Sequence, residues 1–109
     1  MSREFAGTLR ERILIERLVE GRTAMGLQEA AWVPVCRALA AIEPDGAGQE
    51  AEGQALSAMP RFRVTMRPRV GVEVGQRVSW GAVRLTIRQL LDNPLDKDRI
   101  VLRCEQVRS

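Results

Sequence analysis

Within Arg77 to Asp92, polar and apolar residues alternate on both sides of Gly81-Ala82, from Arg77 to Trp80 and from Val83 to Arg88, and this pattern limits the possible folds more than any other. The stretch reads RVSWGAVRLTIRQLLD, with Gly81-Ala82 between its two alternating halves. A glycine at the first central position suits a two-residue type II′ turn. The turn predicts a hairpin with the cross-strand pairs Trp80–Val83, Ser79–Arg84 and Val78–Leu85. Because one face of this hairpin is apolar, we expect it to cover a buried core.

Two further segments alternate in the same way. Arg61 to Arg67, RFRVTMR, has one apolar and one strongly basic face, and Arg99 to Gln106 places its apolar residues on one face. Both patterns predict strands that are buried on one side. The expected core residues are Trp32, Phe62, Val64, Trp80, Leu85, Ile87, Leu102 and Cys104.

The first half of the chain is ambiguous from its residues. Leu9 to Val19, LRERILIERLV, fits an amphipathic helix, but it also fits a strand with Ile13 and Ile15 directed inward. Gln28 to Glu43 is equally open, although Pro34 disfavours a continuous helix there. The polar stretch from Pro44 to Ala58 has little to bury, so we expect a long loop that is either disordered or functional, with a short, weak helix over Gln49 to Met59 as the alternative.

Composition restricts the chemistry that the chain can perform. The 109 residues suffice for a single domain, and the net charge of +3 is too small to indicate nucleic-acid binding. Histidine is absent, and Cys36 and Cys104 lack the spacing of a metal site, so we expect buried, reduced thiols. No nucleotide-binding or nucleophile motif occurs. We therefore expect no catalytic residues, no metal and no cofactor.

Two features of the sequence bear on the cellular compartment in which the protein folds. The sequence contains no apolar run long enough to span a membrane. Its first residues, MSREFAGTLRER, are charged and lack the apolar stretch of a signal peptide. These features predict synthesis and folding in the cytoplasm, with no membrane partner.

The segments, taken in order, resemble the head–tail joining family of long-tailed phages, whose members are called stoppers or head-closure proteins. The resemblance lies in the order and spacing of short motifs along nearly the whole chain. These are the Gly–x–Leu–Arg opening within Ala6–Ile13, Trp32 followed by Ala38–Pro44, the polar Glu50–Leu56, the strand Phe62–Arg67, the Gly–x–Arg–Val step in Val74–Val78, and the closing Leu102–Glu105.

This resemblance implies a small β-barrel or sandwich of about six antiparallel strands, so both ambiguous segments become strands. It also implies a structural virion component that forms a six- or twelve-fold ring. The ring would continue the DNA channel between the portal or adaptor above and the tail terminator or tail tube below. Double-stranded DNA would pass without sequence specificity, in a phage or a gene transfer agent.

The charged residues suggest how such a ring is built. A head-to-tail ring needs two different faces on each subunit. We expect a subunit interface that involves Arg61, Arg63, Arg67, Arg84, Arg88, Glu43 and Asp45. A strongly basic lining would retard sliding DNA, so the polar loop is the expected lining of the channel. Its residues are Gln49, Glu50, Glu52 and Gln54.

Two other classes remain open. The first is another ring protein of the same assembly, such as a tail terminator or an adaptor, and an adaptor would be predominantly helical. A free-standing nucleic-acid-binding barrel of OB or SH3 type would expose aromatic residues for base stacking. Here the aromatic residues are few, and Phe62 and Trp80 occupy expected core positions.

Overall fold

The computed structural model of the chain describes residues 7–45 and 59–107. These residues form six antiparallel strands that close into a barrel in the order β1-β2-β3-β6-β5-β4. The strands are β1 (Glu11–Arg22), β2 (Gln28–Pro44), β3 (Arg61–Met66), β4 (Arg77–Trp80), β5 (Val83–Leu91) and β6 (Ile100–Gln106). The expected all-β class is confirmed, and both ambiguous segments are strands. The described residues contain no helix that is long and apolar enough to cross a lipid bilayer.

The hairpin between β4 and β5 has the register that its sequence predicts. Trp80 pairs with Val83, Ser79 with Arg84 and Val78 with Leu85. Gly81 has φ of 58°, and every described residue with positive φ is a glycine. Ala82 therefore has negative φ, which excludes a type I′ turn and agrees with type II′.

The core consists of the inward-facing residues of all six strands. Ile15, Val64, Met66, Val78, Leu85, Ile87 and Leu102 are fully buried. Cys104 is also buried, while Phe62 and Trp80 are half-buried and pack against this core. The two rings meet edge to face with centroids 5.8 Å apart. Because strand residues alternate between the two faces of a sheet, the period-two pattern placed these residues correctly.

Trp32 was expected in the core, and the structure contradicts this. Its side chain is half-exposed and lies outside the buried cluster. Trp32 is paired with Leu18, beyond the last residues at which β1 pairs with β4. No strand of the barrel covers that position. The indole ring instead lies against the Arg77 guanidinium, whose central carbon is 4.2 Å from the ring centroid.

The first two strands extend beyond the barrel as a two-stranded arm, which comprises Arg17–Arg22, the connecting turn and Gln28–Val33. β1 pairs with β4 only over Leu14–Glu16, and β2 pairs with β3 only over Ala40–Pro44. A register shift after Ile15 marks the point where the arm begins. The arm has two unpaired backbone edges, and Met25 and Leu27 at its tip are exposed.

A buried glutamine organises the loop that enters β4. The Gln76 side chain is 7% exposed. Its amide nitrogen donates to the Gly71 carbonyl at 2.8 Å, and its amide oxygen accepts from the Glu73 backbone N–H at 3.0 Å. The Gln76 carbonyl also accepts from the Ile87 N–H at 2.9 Å. A single side chain thus satisfies the polar backbone of a loop lying against the barrel.

We expect Gln76→Ala to lower the free energy of unfolding by about 1–3 kcal/mol, because it leaves partly buried donor and acceptor groups of the loop without partners. Urea unfolding followed by circular dichroism measures the change. The matched control is Gln89→Ala, at an exposed glutamine, which should shift stability by no more than about 0.5 kcal/mol. Equal effects of the two substitutions would contradict this role for Gln76.

Candidate assembly surfaces

The outer surface of β3, β5 and β6, together with the end of β2, carries a network of ion pairs that we call the charged face. Arg63 lies between Glu43 on one neighbouring strand and Arg103 on the other. Two like charges directly opposite each other on adjacent strands are destabilising. Each arginine here has its own carboxylate, because Arg63 pairs with Glu43 at 3.5 Å and Arg103 with Asp45 at 2.9 Å.

The charged face continues across β6 to β5. Arg88 pairs with Glu105 at 3.1 Å, and Arg61 lies opposite Glu105 in the register of β3 and β6. Of the seven expected interface residues, Arg61, Arg63, Arg88, Glu43 and Asp45 therefore lie on this surface. Glu43 and Asp45 are engaged by arginines of their own chain. Arg103 was not among the expected interface residues; the signal for it was its outward position in the alternating strand Arg99–Gln106.

The remaining two expected interface residues lie elsewhere. Arg67 follows the end of β3 and borders a depression together with Leu9, Leu39 and Arg69. Arg84 is at the β4–β5 turn, where its guanidinium donates to the carbonyl oxygens of Gly81 and Val83 at 2.7 and 3.2 Å. The expected arginines are thus distributed over three places on the surface and do not form one patch.

The contact that closes the barrel contains a cluster of hydrogen bonds around one carboxylate, that of Glu16. Glu16 on β1 accepts hydrogen bonds from the Ser79 hydroxyl at 2.6 Å and from Arg77 Nε at 3.1 Å, both on β4. Its side chain is 12% exposed. The Ser79 hydrogen bond is the largest influence on the pKa of Glu16, and together with the Arg77 hydrogen bond and charge it holds that pKa below the usual value although burial opposes the shift. Glu16 therefore remains ionised at neutral pH.

Arg77 connects this cluster to the arm. Its guanidinium forms an ion pair with Glu16 at 3.0 Å and lies over the face of Trp32. A cation over an indole face gains electrostatic attraction beyond simple contact. Trp80, three residues along β4, donates its indole N–H to Glu11 at 3.0 Å. Sequence reasoning missed this cluster, because its partners lie more than 60 residues apart.

The two cysteines have different environments. Burial, followed by the negative charge of Asp45, raises the pKa of Cys104 to about 12. Burial also raises the pKa of the half-buried Cys36, although the charge of Arg69 partly offsets this. Both thiols are free. Within residues 7–45 and 59–107, no group of three Cys, Asp or Glu side chains is arranged to hold a metal ion.

The expected channel residues Gln49, Glu50, Glu52 and Gln54 lie outside the described residues. The two ends of their segment are attached to adjacent strands of the barrel. The Asp45 N–H donates to the Arg61 carbonyl at 3.0 Å, and the Gln106 N–H donates to the Pro60 carbonyl at 2.8 Å. The described residues on either side of segment 46–58 therefore lie together at one end of the β2–β3 pair.

The described residues thus define a small six-stranded β-barrel with charged outer surfaces and a projecting two-stranded arm. The sequence matches the profile of the phage head completion protein family over residues 6–107, so the chain belongs to that family. The fold is similar to the solution structure of protein SF1141 from Shigella flexneri 2a, with a TM-score of 0.70 and 21% identity over 92% of this chain and 94% of that one. A search of curated proteins finds no match.

Family membership supports several of the expectations from sequence. Phage head completion proteins are structural virion components and are not known as enzymes. The family implies contacts with other head and tail proteins, and a location at the head–tail interface. The six-stranded barrel does not fit the largely helical structure expected of an adaptor.

We expect Glu16→Gln to cost about 1–3 kcal/mol at neutral pH, because it replaces a charged hydrogen-bond acceptor at the barrel closure. A carboxylate with a lowered pKa stabilises the fold above its usual pKa, and this contribution disappears as pH falls through the folded-state pKa. The difference from wild type should therefore vanish below the usual carboxyl range. Urea unfolding at several pH values measures it, with Glu20→Gln on the exposed arm as control. A constant difference at all pH values would contradict this assignment.

We expect Cys104 in the folded protein to react with thiol reagents about a thousandfold more slowly at mildly alkaline pH than an unfolded cysteine, because little of it is thiolate. Mass spectrometry of the Cys36→Ser variant, in which Cys104 is the only thiol, measures the rate before and after unfolding in urea. The Cys104→Ser variant should react faster when folded, through half-buried Cys36. Fast labelling of folded Cys104 would contradict its burial.

Proposed function

We propose that this protein forms a homo-oligomeric ring between the portal or adaptor and the tail, where it continues the DNA channel, helps to retain packaged DNA and provides a surface for tail attachment. The observation that carries the proposal is the match to phage head completion proteins over residues 6–107, which spans the entire barrel. Because the sheet closes into a barrel, the subunit is a rigid unit, and identical copies of it can be arranged around the axis of a ring.

The surfaces of the subunit support a ring. Head-to-tail contacts are heterologous and require two different faces. The charged face includes the carboxyl end of β2, whereas the arm comes from the opposite end of the same strand. Each subunit therefore has two dissimilar surfaces that are well separated along one long strand.

The proposed subunit contacts use charge to set register. They involve Arg61, Arg63, Arg84, Arg88, Glu43 and Asp45, whereas Arg67 lies apart from them beside Leu39 and Arg69. Since Glu43 and Asp45 already pair with Arg63 and Arg103, a neighbour that approaches this face would join an existing network. Such exposed pairs contribute more to orientation than to affinity.

The proposed channel lining is the polar loop with Gln49, Glu50, Glu52 and Gln54. This proposal is supported by the described flanking residues Asp45 and Pro60, which lie at one end of the barrel. Carboxylates repel phosphates, so DNA would pass this lining without the salt-dependent adhesion that arginines produce. The loop, the barrel and the arm would then have separate tasks in one subunit.

Deletion of Gly46 to Gln54 tests the channel role. We expect particles that leak DNA or fail to join tails, because the lining and its length are lost while the barrel remains. Nuclease sensitivity of the packaged DNA and electron microscopy of the particles measure the two defects. Circular dichroism of the purified variant checks that the barrel is retained.

A second variant tests the negative charge of the loop without changing the length of the loop. Glu50→Gln combined with Glu52→Gln keeps the loop length and removes both negative charges, and we expect it to slow DNA passage or impair retention. A Gly/Ser segment of equal length in place of 46–54 serves as control for the loop chemistry. Normal infectious particles from the deletion would contradict the proposed channel lining.

A further inference from the structure

Four arginines surround a groove on the outer surface of β1 and β2, and we call this site the arginine groove. In the β1–β2 register Arg12 is paired with Leu39, and Leu14 with Arg37, so that two arginines and two leucines alternate on one face. One depression there is lined by Arg12, Leu14, Arg37, Leu39 and Arg69. The adjoining depression is lined by Leu9, Leu39, Arg67 and Arg69. Leu39 and Arg69 belong to both, which makes the groove continuous.

Among the described residues, no carboxylate compensates the positive charge of the arginine groove. All four arginines are exposed, and none of them forms an ion pair with another residue in the described ranges 7–45 and 59–107. Most carboxylates of the barrel are engaged elsewhere, on the charged face and at Glu16. Like charges gathered on one surface repel each other, and a partner with carboxylates would relieve this repulsion.

The chemistry of the groove favours a protein partner. Leu39 is 50% exposed at the centre of the groove, where the phosphate backbone of DNA would offer it no apolar contact. Protein interfaces typically combine an apolar centre with a polar rim, and arginine is enriched in them. The guanidinium also matches a carboxylate with two parallel hydrogen bonds.

The described surfaces of a second copy of this chain fit the groove poorly. In the described ranges the carboxylates outside ion pairs include Glu20 and Glu29 on the arm, Glu73 in the loop before β4 and Asp92 after β5. These are dispersed, and the arm also carries Arg17 and Arg22 of opposite charge. No described surface of the chain is therefore complementary to four clustered arginines.

We propose that the arginine groove docks an acidic segment of a different virion protein, with an apolar side chain between its carboxylates that contacts Leu39. This proposal rests on the proposed function, because it assumes that the subunit is built into a particle with other proteins. The carboxylates of that segment would pair with Arg12, Arg37 and Arg69 around the leucine.

A photo-crosslinking amino acid at position 39 in assembled particles tests the occupant. We expect mass spectrometry to find a crosslink to a peptide of another virion protein that contains several Asp or Glu residues next to an apolar residue. A crosslink to a second copy of this chain or to DNA would overturn the proposal. Absence of any crosslink would also overturn it, since the groove would then be empty in the particle.

Charge-reversal variants of the groove arginines provide a second test. We expect Arg37→Glu and Arg69→Glu each to reduce incorporation of the subunit into particles by about tenfold or more, while circular dichroism of the purified variants is unchanged. Lys97→Glu, an equal charge reversal at an exposed loop position, is the matched control and should incorporate normally. Reversal of the crosslinked carboxylate in the partner should restore incorporation of Arg37→Glu. Equal incorporation of all three variants would refute docking through this groove.

Particles that lack the protein separate this proposal from the proposed function. If they retain DNA and carry tails, the head–tail role fails, even where position 39 crosslinks to an acidic segment. If they leak DNA while position 39 crosslinks only to DNA or to a second copy, the docking proposal fails and the head–tail role stands.

Discussion

The short pairing of β1 with β4 is the contact on which the rest of the structure depends. It spans only Leu14 to Glu16 on β1, yet it closes the sheet into a barrel. Few backbone hydrogen bonds are available in so short a ladder. The Glu16 carboxylate strengthens it by accepting hydrogen bonds from Ser79 and Arg77 across the junction. A closed barrel has no free edge along this seam, so aggregation through strand pairing is prevented there.

The same junction sets the direction of the arm. Beyond Glu16 the two long strands have only each other, and a two-stranded hairpin alone is marginally stable in water. Arg77 stabilises the base of the arm, because its guanidinium contacts Glu16 and Trp32 together. Arg77 thus connects the residue that closes the barrel, Glu16, with the base of the arm. The exposed Met25 and Leu27 at the tip are positioned from that base.

Electrostatics divides the outer surface into regions of different character. On the charged face, the neighbouring Arg63 and Arg103 each form an ion pair with a carboxylate. That surface is therefore polar but close to neutral. The arginine groove also carries arginines, but none of them forms an ion pair with a carboxylate within residues 7–45 and 59–107. The family implies contacts with other head and tail proteins, and this difference in charge is the basis of the separate contacts proposed for the two regions.

The residue pattern alone determined strands β3 to β6 and their inward faces, whereas β1 and β2 followed only from the family resemblance. Alternation identified Val64, Leu85, Ile87 and Leu102 as buried, and Gly81 specified the turn that sets the register of β4 against β5. These features are local, because strand period and turn geometry depend on neighbouring residues. The order and spacing of short motifs along the chain also indicated the family.

Only the tertiary structure decided the remainder. Trp32 follows the apolar pattern of a core residue, but the barrel ends before its position and Arg77 covers it instead. The pairing of Glu43 with Arg63 and of Asp45 with Arg103 also depends on which strands become neighbours. The same is true of the Glu16 cluster and the arginine groove. Charges that are distant in sequence meet only when the sheet closes, and no local pattern encodes which of them are left without a partner.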